Sequence, residues 1–165
     1  MKPVLLVIDV QKEFFEYSQK TKQSLNEAMD YINAAISLFR EKELPIICVQ
    51  HLDEEDGLFP GEDGFELPKE LDIVTSDRHI HKTYGNAFNK TSLNETIRSL
   101  EVDTVIITGF SAEGCVLSTF KGAEDLDLMP IILRSSLASG NPENIAFIEN
   151  ICNIISIGAL RKMLN

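Results

Sequence analysis

The stretch Thr104–Leu117, TVIITGFSAEGCVL, decides how this chain is read. Apolar, β-rich residues run into Gly109, a short polar turn follows, and Cys115 stands where the next helix is expected to begin. In a parallel sheet, a strand, a tight turn and a helix start present a side chain at the carboxyl edge, where ligands bind. Amides at a helix start carry partial positive charge, which lowers a thiol pKa and stabilises an oxyanion. The stretch predicts a nucleophile. The flanking chain has to supply its partners.

Upstream, Val4–Val10 (VLLVIDV) is a continuous apolar run suited to a central strand buried on both faces, and it delivers Asp9 to its carboxyl end. Phe14, Phe15 and Tyr17 form an aromatic cluster just beyond. An amphipathic helix is expected over Ser24–Lys42, started by a Ser24/Glu27 capping box, with Leu25, Met29, Ile32, Ala35, Ile36 and Phe39 as its apolar stripe. After Pro45 a second strand, Ile46–Gln50, delivers His51 and Asp53. The acidic run 54–68, EEDGLFPGEDGFELP, is an irregular loop, and long loops of this kind tend to be functional. Phe59 and Phe65 are expected to anchor it to the body or to a neighbouring subunit.

Asp77–Lys82 (DRHIHK) alternates around Ile80 and reads as a short strand ending at Lys82. A helix from Ser92, with a Ser92/Glu95 box, leads to the strand of the opening stretch. A helix over about Cys115–Leu126 follows, then a strand at Met129–Leu133, a helix at Pro142–Ile151, a strand at Asn153–Ile157 and a short helical tail. Six strands alternating with helices, without repeats or a domain break, predict one α/β domain: a doubly wound, three-layer α/β/α sandwich. The pattern alone leaves the strand order open.

Asp9, Lys82 and Cys115 thus fall at the carboxyl ends of three strands, which converge on one crevice in such a sheet. Their chemistry is coherent. Cys115 is the candidate nucleophile, Lys82 favours its thiolate and Asp9 shuttles the proton. Amides of the turn Phe110–Cys115 are placed to meet the oxyanion. The plain alternatives are a buried hydrophobe at Cys115, a strand-edge surface lysine at Lys82 and a capping carboxylate at Asp9. Cys48 and Cys152 read as packing residues.

A net charge of −11 over 165 residues, with no Lys/Arg-rich run, argues against nucleic acid or an anionic membrane as partner. MKPVLLVIDV makes a poor signal peptide, and three widely spaced cysteines form neither a CxxC pair nor a disulfide framework. The expected compartment is the cytoplasm. No GxGxxG follows the first strand, no GxxxxGK[ST] occurs, and Ser111 is not in a GxSxG elbow. His51/Asp53 and His79/His81 alternate like strand residues, yet no HExxH or CxxC supports zinc. No cofactor and no metal are expected.

The pieces LLVIDVQKEF at 5–14, IICVQHLDE at 46–54, PGEDGFEL at 60–67, HKTYGNAFNKTSL at 81–93 and VIITGFSAEGCVLSTFKGAEDL at 105–126 together resemble the isochorismatase-like cysteine hydrolase superfamily. The resemblance implies strand order 3-2-1-4-5-6 and an Asp–Lys–Cys triad at Asp9, Lys82 and Cys115. It also implies a cis peptide at Phe110–Ser111, with the Ser111 and Cys115 amides facing the oxyanion. Where the nucleophile is cysteine, it implies a covalent thioester formed from a small amide, ureide or carbamoyl compound. Gln11, Phe14, His51, Tyr84 and Phe88, with Phe110, are the expected pocket residues. Gln50-His51-Leu52-Asp53 departs from the Asp-x-His metal pair of nicotinamidases, which places the chain with the metal-free branch. Members assemble as homodimers or homotetramers, an arrangement in which loop 54–68 suits a cover. The alternatives are vinyl-ether hydrolysis without a covalent step, or a non-catalytic binding or regulatory protein on the same scaffold.

Overall fold

A computed structural model describes all residues, 1–165. Six strands and six helices make up the chain; two helices separate the first two strands, and only the long loop with a short 3₁₀ turn separates the second from the third. The strands are β1 (Pro3–Ile8), β2 (Ile46–His51), β3 (Arg78–Lys82), β4 (Thr104–Phe110), β5 (Met129–Ala138) and β6 (Ile154–Ile155). The helices are α1 (Lys12–Phe15), α2 (Gln19–Glu41), α3 (Leu93–Ser99), α4 (Leu117–Asp125), α5 (Pro142–Ile151) and α6 (Ile157–Met163). The sheet order is β3-β2-β1-β4-β5-β6, and every pairing is parallel.

Period-two alternation divides each central strand between two cores. In β1, Leu5 and Val7 join α1, α2 and α6 on one face, while Val4, Leu6 and Ile8 join α3, α4 and α5 on the other. Each face therefore holds a helix layer against an apolar sheet, which is the three-layer sandwich expected. No helix is long and apolar enough to cross a membrane.

Several boundaries differ from expectation for local reasons. Helix α2 starts at Gln19 rather than Ser24, because the Ser18 hydroxyl already accepts from the Thr21 amide at 3.0 Å. Ser24 is an interior residue whose Oγ instead accepts from the Ser139 amide at 3.0 Å. Ser92 does precede α3, but its side chain makes no cap; Thr91 Oγ1 accepts from the Leu93 amide at 3.2 Å. Strand β5 runs on to Ala138, past Leu133, and β6 keeps only two paired residues of the five expected. In loop 54–68, Phe65 is buried as anticipated, but Phe59 is 36% exposed and Leu58 takes the second anchoring place.

Gly109 is the residue that lets β4 reach the site. Its φ is +117°, and a Cβ there would drive into the backbone carbonyl of Ile8 on β1. Backbone cannot yield as a side-chain tip does, and this φ is foreign to residues with a Cβ. Gly109→Ala should therefore lower stability by roughly 3–5 kcal/mol. Urea unfolding followed by circular dichroism checks this; an unchanged midpoint would rule the account out.

Candidate active site

The ends of β1, β2, β3 and β4 bring four side chains to one point. Asp9 sits just past β1 with φ +53°, a left-handed conformation that aspartate tolerates better than most residues. Its amide donates to the Val49 carbonyl of β2 at 2.9 Å, which fixes the turn out of the strand. Its carboxylate is 1% exposed. Lys82 closes β3, an edge strand, yet it is 0% exposed because its side chain runs inward instead of to solvent.

The Lys82 ammonium is the hub. Nζ lies 2.8 Å from Asp9 Oδ2, 3.1 Å from Cys115 Sγ and 3.0 Å from His51 Nδ1. An ammonium has three N–H donors, and three acceptors surround it here. Asp9 Oδ1 has no hydrogen-bond partner although it is buried. A free acceptor held in a dry site suits a group that must collect a proton. Burial raises the Asp9 carboxyl above its ordinary value, outweighing the opposing pull of Lys82, which is the direction a general base requires.

Cys115 does not begin the helix. It lies inside a wide irregular turn, Ala112–Val116, where Gly114 has φ −106° and ψ −106°, and α4 starts only at Leu117. The pull expected from a helix start and Lys82 is opposed here: burial first, then the charge of Asp9, push Cys115 up to about 11, against the pull of Lys82. Burial and Asp9 together favour the thiol form. The Phe110–Ser111 peptide is cis, as the resemblance implied. The Ser111 carbonyl accepts from the amides of Gly114 at 3.1 Å and Val116 at 3.2 Å, which holds the turn in shape. From outside, Ser139 Oγ donates to Glu113 Oε1 at 3.1 Å, tying the turn to the end of β5.

The expected pocket residues divide. Phe14 and Phe110 have ring centroids 5.1 Å apart, with Tyr17 edge-on to both, and form an aromatic wall beside the cysteine turn. Phe88 is half-buried against the core under α3 and α4, while Tyr84 is 43% exposed and accepts from Lys90 Nζ at 3.1 Å. Gln11 is the correction. It is fully buried, and its amide is engaged by one peptide unit on each side of His51: Nε2 donates to the His51 carbonyl at 2.9 Å, and Oε1 accepts from the His51 amide at 2.7 Å. With both ends occupied it cannot line a pocket, and it acts on the site through His51. The partnership of His51 with Lys82 had no sequence signal, because the two are 31 residues apart with no shared motif.

Asp9, His51 and Cys115 offer donor atoms within 4.8 Å of one another, a set that resembles a metal centre in composition. Its arrangement is different. The Lys82 ammonium stands among all three donors at hydrogen-bond distance, so a divalent ion would have to displace a buried cation from the same acceptors. The donor set does not fit a metal.

Comparison with known proteins gives the family. The model described as "Isochorismatase domain" matches residues 3–149. The chain belongs to the isochorismatase family. An uncharacterised isochorismatase family protein of Bacillus subtilis (strain 168), YrdC, is 29% identical over 140 residues, covering 84% of this chain and 74% of that relative. A solved isochorismatase family protein is 30% identical with a TM-score of 0.84, covering 94% of this chain and 98% of the other. An N-carbamoylsarcosine amidase from Thermoplasma acidophilum shares the fold at a TM-score of 0.82 and 24% identity, over 95% of this chain and 97% of its own. Family, fold and the buried Asp9–Lys82–Cys115 cluster make this protein an isochorismatase-like cysteine hydrolase.

Proposed function

We propose that this isochorismatase-family hydrolase cleaves the C–N bond of a small amide, ureide or carbamoyl compound through a thioester on Cys115. One observation carries the reading: the Cys115 sulfur shares one buried ammonium with a carboxylate whose second oxygen is unpartnered. Asp9 Oδ1 takes the thiol proton as Sγ attacks the carbonyl carbon, so no free thiolate has to persist in the site. Lys82 balances the charge of Asp9 and of the developing sulfur anion. The turn amides at Ser111 and Cys115 meet the oxyanion.

Collapse breaks the C–N bond, and the proton held by Asp9 leaves with the amine. Water then attacks the thioester and gives its proton to Asp9. The C–S bond breaks as that proton returns to sulfur, and the acid departs. The balance is amide plus water to acid plus amine. The aromatic wall of Phe14 and Phe110 suits a planar or modestly apolar substituent. The carbamoyl part of the reading draws on the amidase among the structural neighbours.

The test is rapid-quench intact mass spectrometry across a panel of small amides and carbamoyl compounds, with ammonia release read in parallel. The expected result is an acyl adduct mapping to Cys115 that forms before the first turnover is complete. Release of amine with no adduct, even at short times and low pH, would remove the covalent step.

A further inference from the structure

We infer that His51 is the substrate-orienting donor of this site, locked by Lys82 as the Nε2–H tautomer and offering that N–H to a second acceptor oxygen beside the scissile carbonyl. The inference rests on the hydrolase reading above and narrows its substrate class. It selects compounds that carry another carbonyl or a carboxylate next to the cleaved group, over simple monoamides.

The argument starts from proton counting. Lys82 Nζ offers three N–H bonds and accepts none. Its neighbours at hydrogen-bond distance are Asp9 Oδ2, Cys115 Sγ and His51 Nδ1, and its side chain has no exposure to water. Each neighbour therefore receives one N–H. A ring nitrogen that accepts cannot carry a proton, so the single proton of the neutral imidazole is on Nε2. Protonating Nδ1 would set two donors against each other at 3.0 Å.

The charged groups facing the ring are Lys82 from β3, Asp9 from β1 and Asp53 from the loop after β2. Burial first, then Lys82, hold the imidazole below its ordinary pKa despite the two carboxylates. A second proton would have to enter at the Nδ1 that faces the Lys82 ammonium, so the same contact that sets the tautomer disfavours the charged ring. A histidine with an ordinary pKa near 6.5 would alternate between two forms through the physiological range.

The ring is also fixed in place. Gln11 clamps the His51 peptide units from both sides, and the next amide, Leu52 N, donates to the Lys82 carbonyl at 2.7 Å. The only hydrogen bond of the ring is the one from Lys82 to Nδ1, and His51 is half-exposed. Nε2–H is left as an oriented donor without a protein partner. One nitrogen of the ring lies within 4.8 Å of the Cys115 sulfur, so the imidazole borders the space that a molecule seated on the nucleophile would fill.

Two substitutions separate the two ends of the ring. His51→Asn keeps an acceptor for Lys82 near the Nδ1 position and deletes the outer donor; His51→Gln keeps a donor near the Nε2 position. The readouts are 15N–1H correlation spectra of the imidazole and binding to the Cys115→Ala variant, neither of which needs turnover. The probes are N-carbamoylglycine, malonamic acid and acetamide. The expected spectra show a neutral Nε2–H ring at pH 7 to 8 that protonates only below the ordinary histidine range, with Nε2 displaced by the first two probes. His51→Asn is expected to weaken those two by about tenfold while leaving acetamide unchanged, and His51→Gln to recover most of the loss.

A ring that protonates near pH 6.5, or an Nδ1–H tautomer, overturns the lock. No displacement of Nε2 by any of the three probes, or equal weakening of acetamide, overturns the substrate contact. Failure of the thioester reading shows itself elsewhere, as absence of a Cys115 adduct in the wild-type protein, and leaves these spectra readable.

Discussion

Replacing Cys115 by alanine is expected to remove turnover by roughly 10⁴- to 10⁶-fold, the scale on which loss of a covalent nucleophile is felt. The fold should survive. Cys115 is only partly buried, and its one recorded side-chain hydrogen bond is the N–H received from Lys82. Deleting it leaves one donor of a well-solvated-by-protein ammonium without an acceptor, a cost of about 1–2 kcal/mol. Steady-state kinetics on any turned-over amide, with the denaturation midpoint as control, checks the prediction. Retention of even a tenth of the activity would favour direct attack by water or a vinyl-ether chemistry that needs no sulfur.

The thiol pKa of about 11 gives that experiment a companion in the wild-type protein. Alkylation of Cys115 by iodoacetamide should still be accelerating at pH 9–10, where an ordinary thiol near 8.5 has levelled off. Cys48 is buried in β2 and pushed up further still, so the two are told apart by peptide mapping under native conditions. A plateau by pH 8 would mean that Lys82 wins over burial and Asp9, and that the resting nucleophile is a thiolate.

The architecture was legible because short, β-rich continuous apolar runs such as Val4–Ile8 suit strands buried on both faces, and because acids, bases and nucleophiles at strand ends converge. The strand order was not carried by that pattern; it came with the family resemblance. What periodicity misplaced lies where apolar spacing stops short of the element. Residues 19–23 of α2 are largely polar, so the apolar stripe begins later than the helix, and the Ser18 cap outranks the Ser24 box. The thiol turns on a balance that sequence could not weigh: it placed Asp9 and Lys82 together at Cys115, but not the burial that leads the upward push. Gln11 and His51 were marked as polar pocket residues, yet the pairing of a side-chain amide with another residue's peptide units has no periodicity to betray it.

Replacing Lys82 by methionine, which keeps the length of the side chain and deletes its charge, is expected to destabilise the protein by roughly 3–5 kcal/mol at pH 8. The Asp9 carboxylate would be left buried without its counter-ion, and its other oxygen already lacks a partner. For a chain of this size the loss corresponds to a fall in Tm of roughly 6–20 °C. The pH dependence has a definite sign. Burial raises the Asp9 pKa even with Lys82 present, and removal of the cation raises it further. Between the unfolded pKa and this raised folded value, the folded state binds more protons, so stability falls as pH rises. The variant should thus regain stability on acidification from pH 8 towards pH 5. Adding Asp9→Asn, a residue that tolerates the left-handed backbone at this position, removes the buried charge itself. The double variant is expected to recover about half or more of the loss at pH 8, and to show little of the acid recovery. A Lys82→Met protein that unfolds at the wild-type midpoint at pH 8 would mean that Asp9 is already protonated in the resting enzyme, and a neutral carboxylic acid at that position could not serve as the base for the Cys115 thiol.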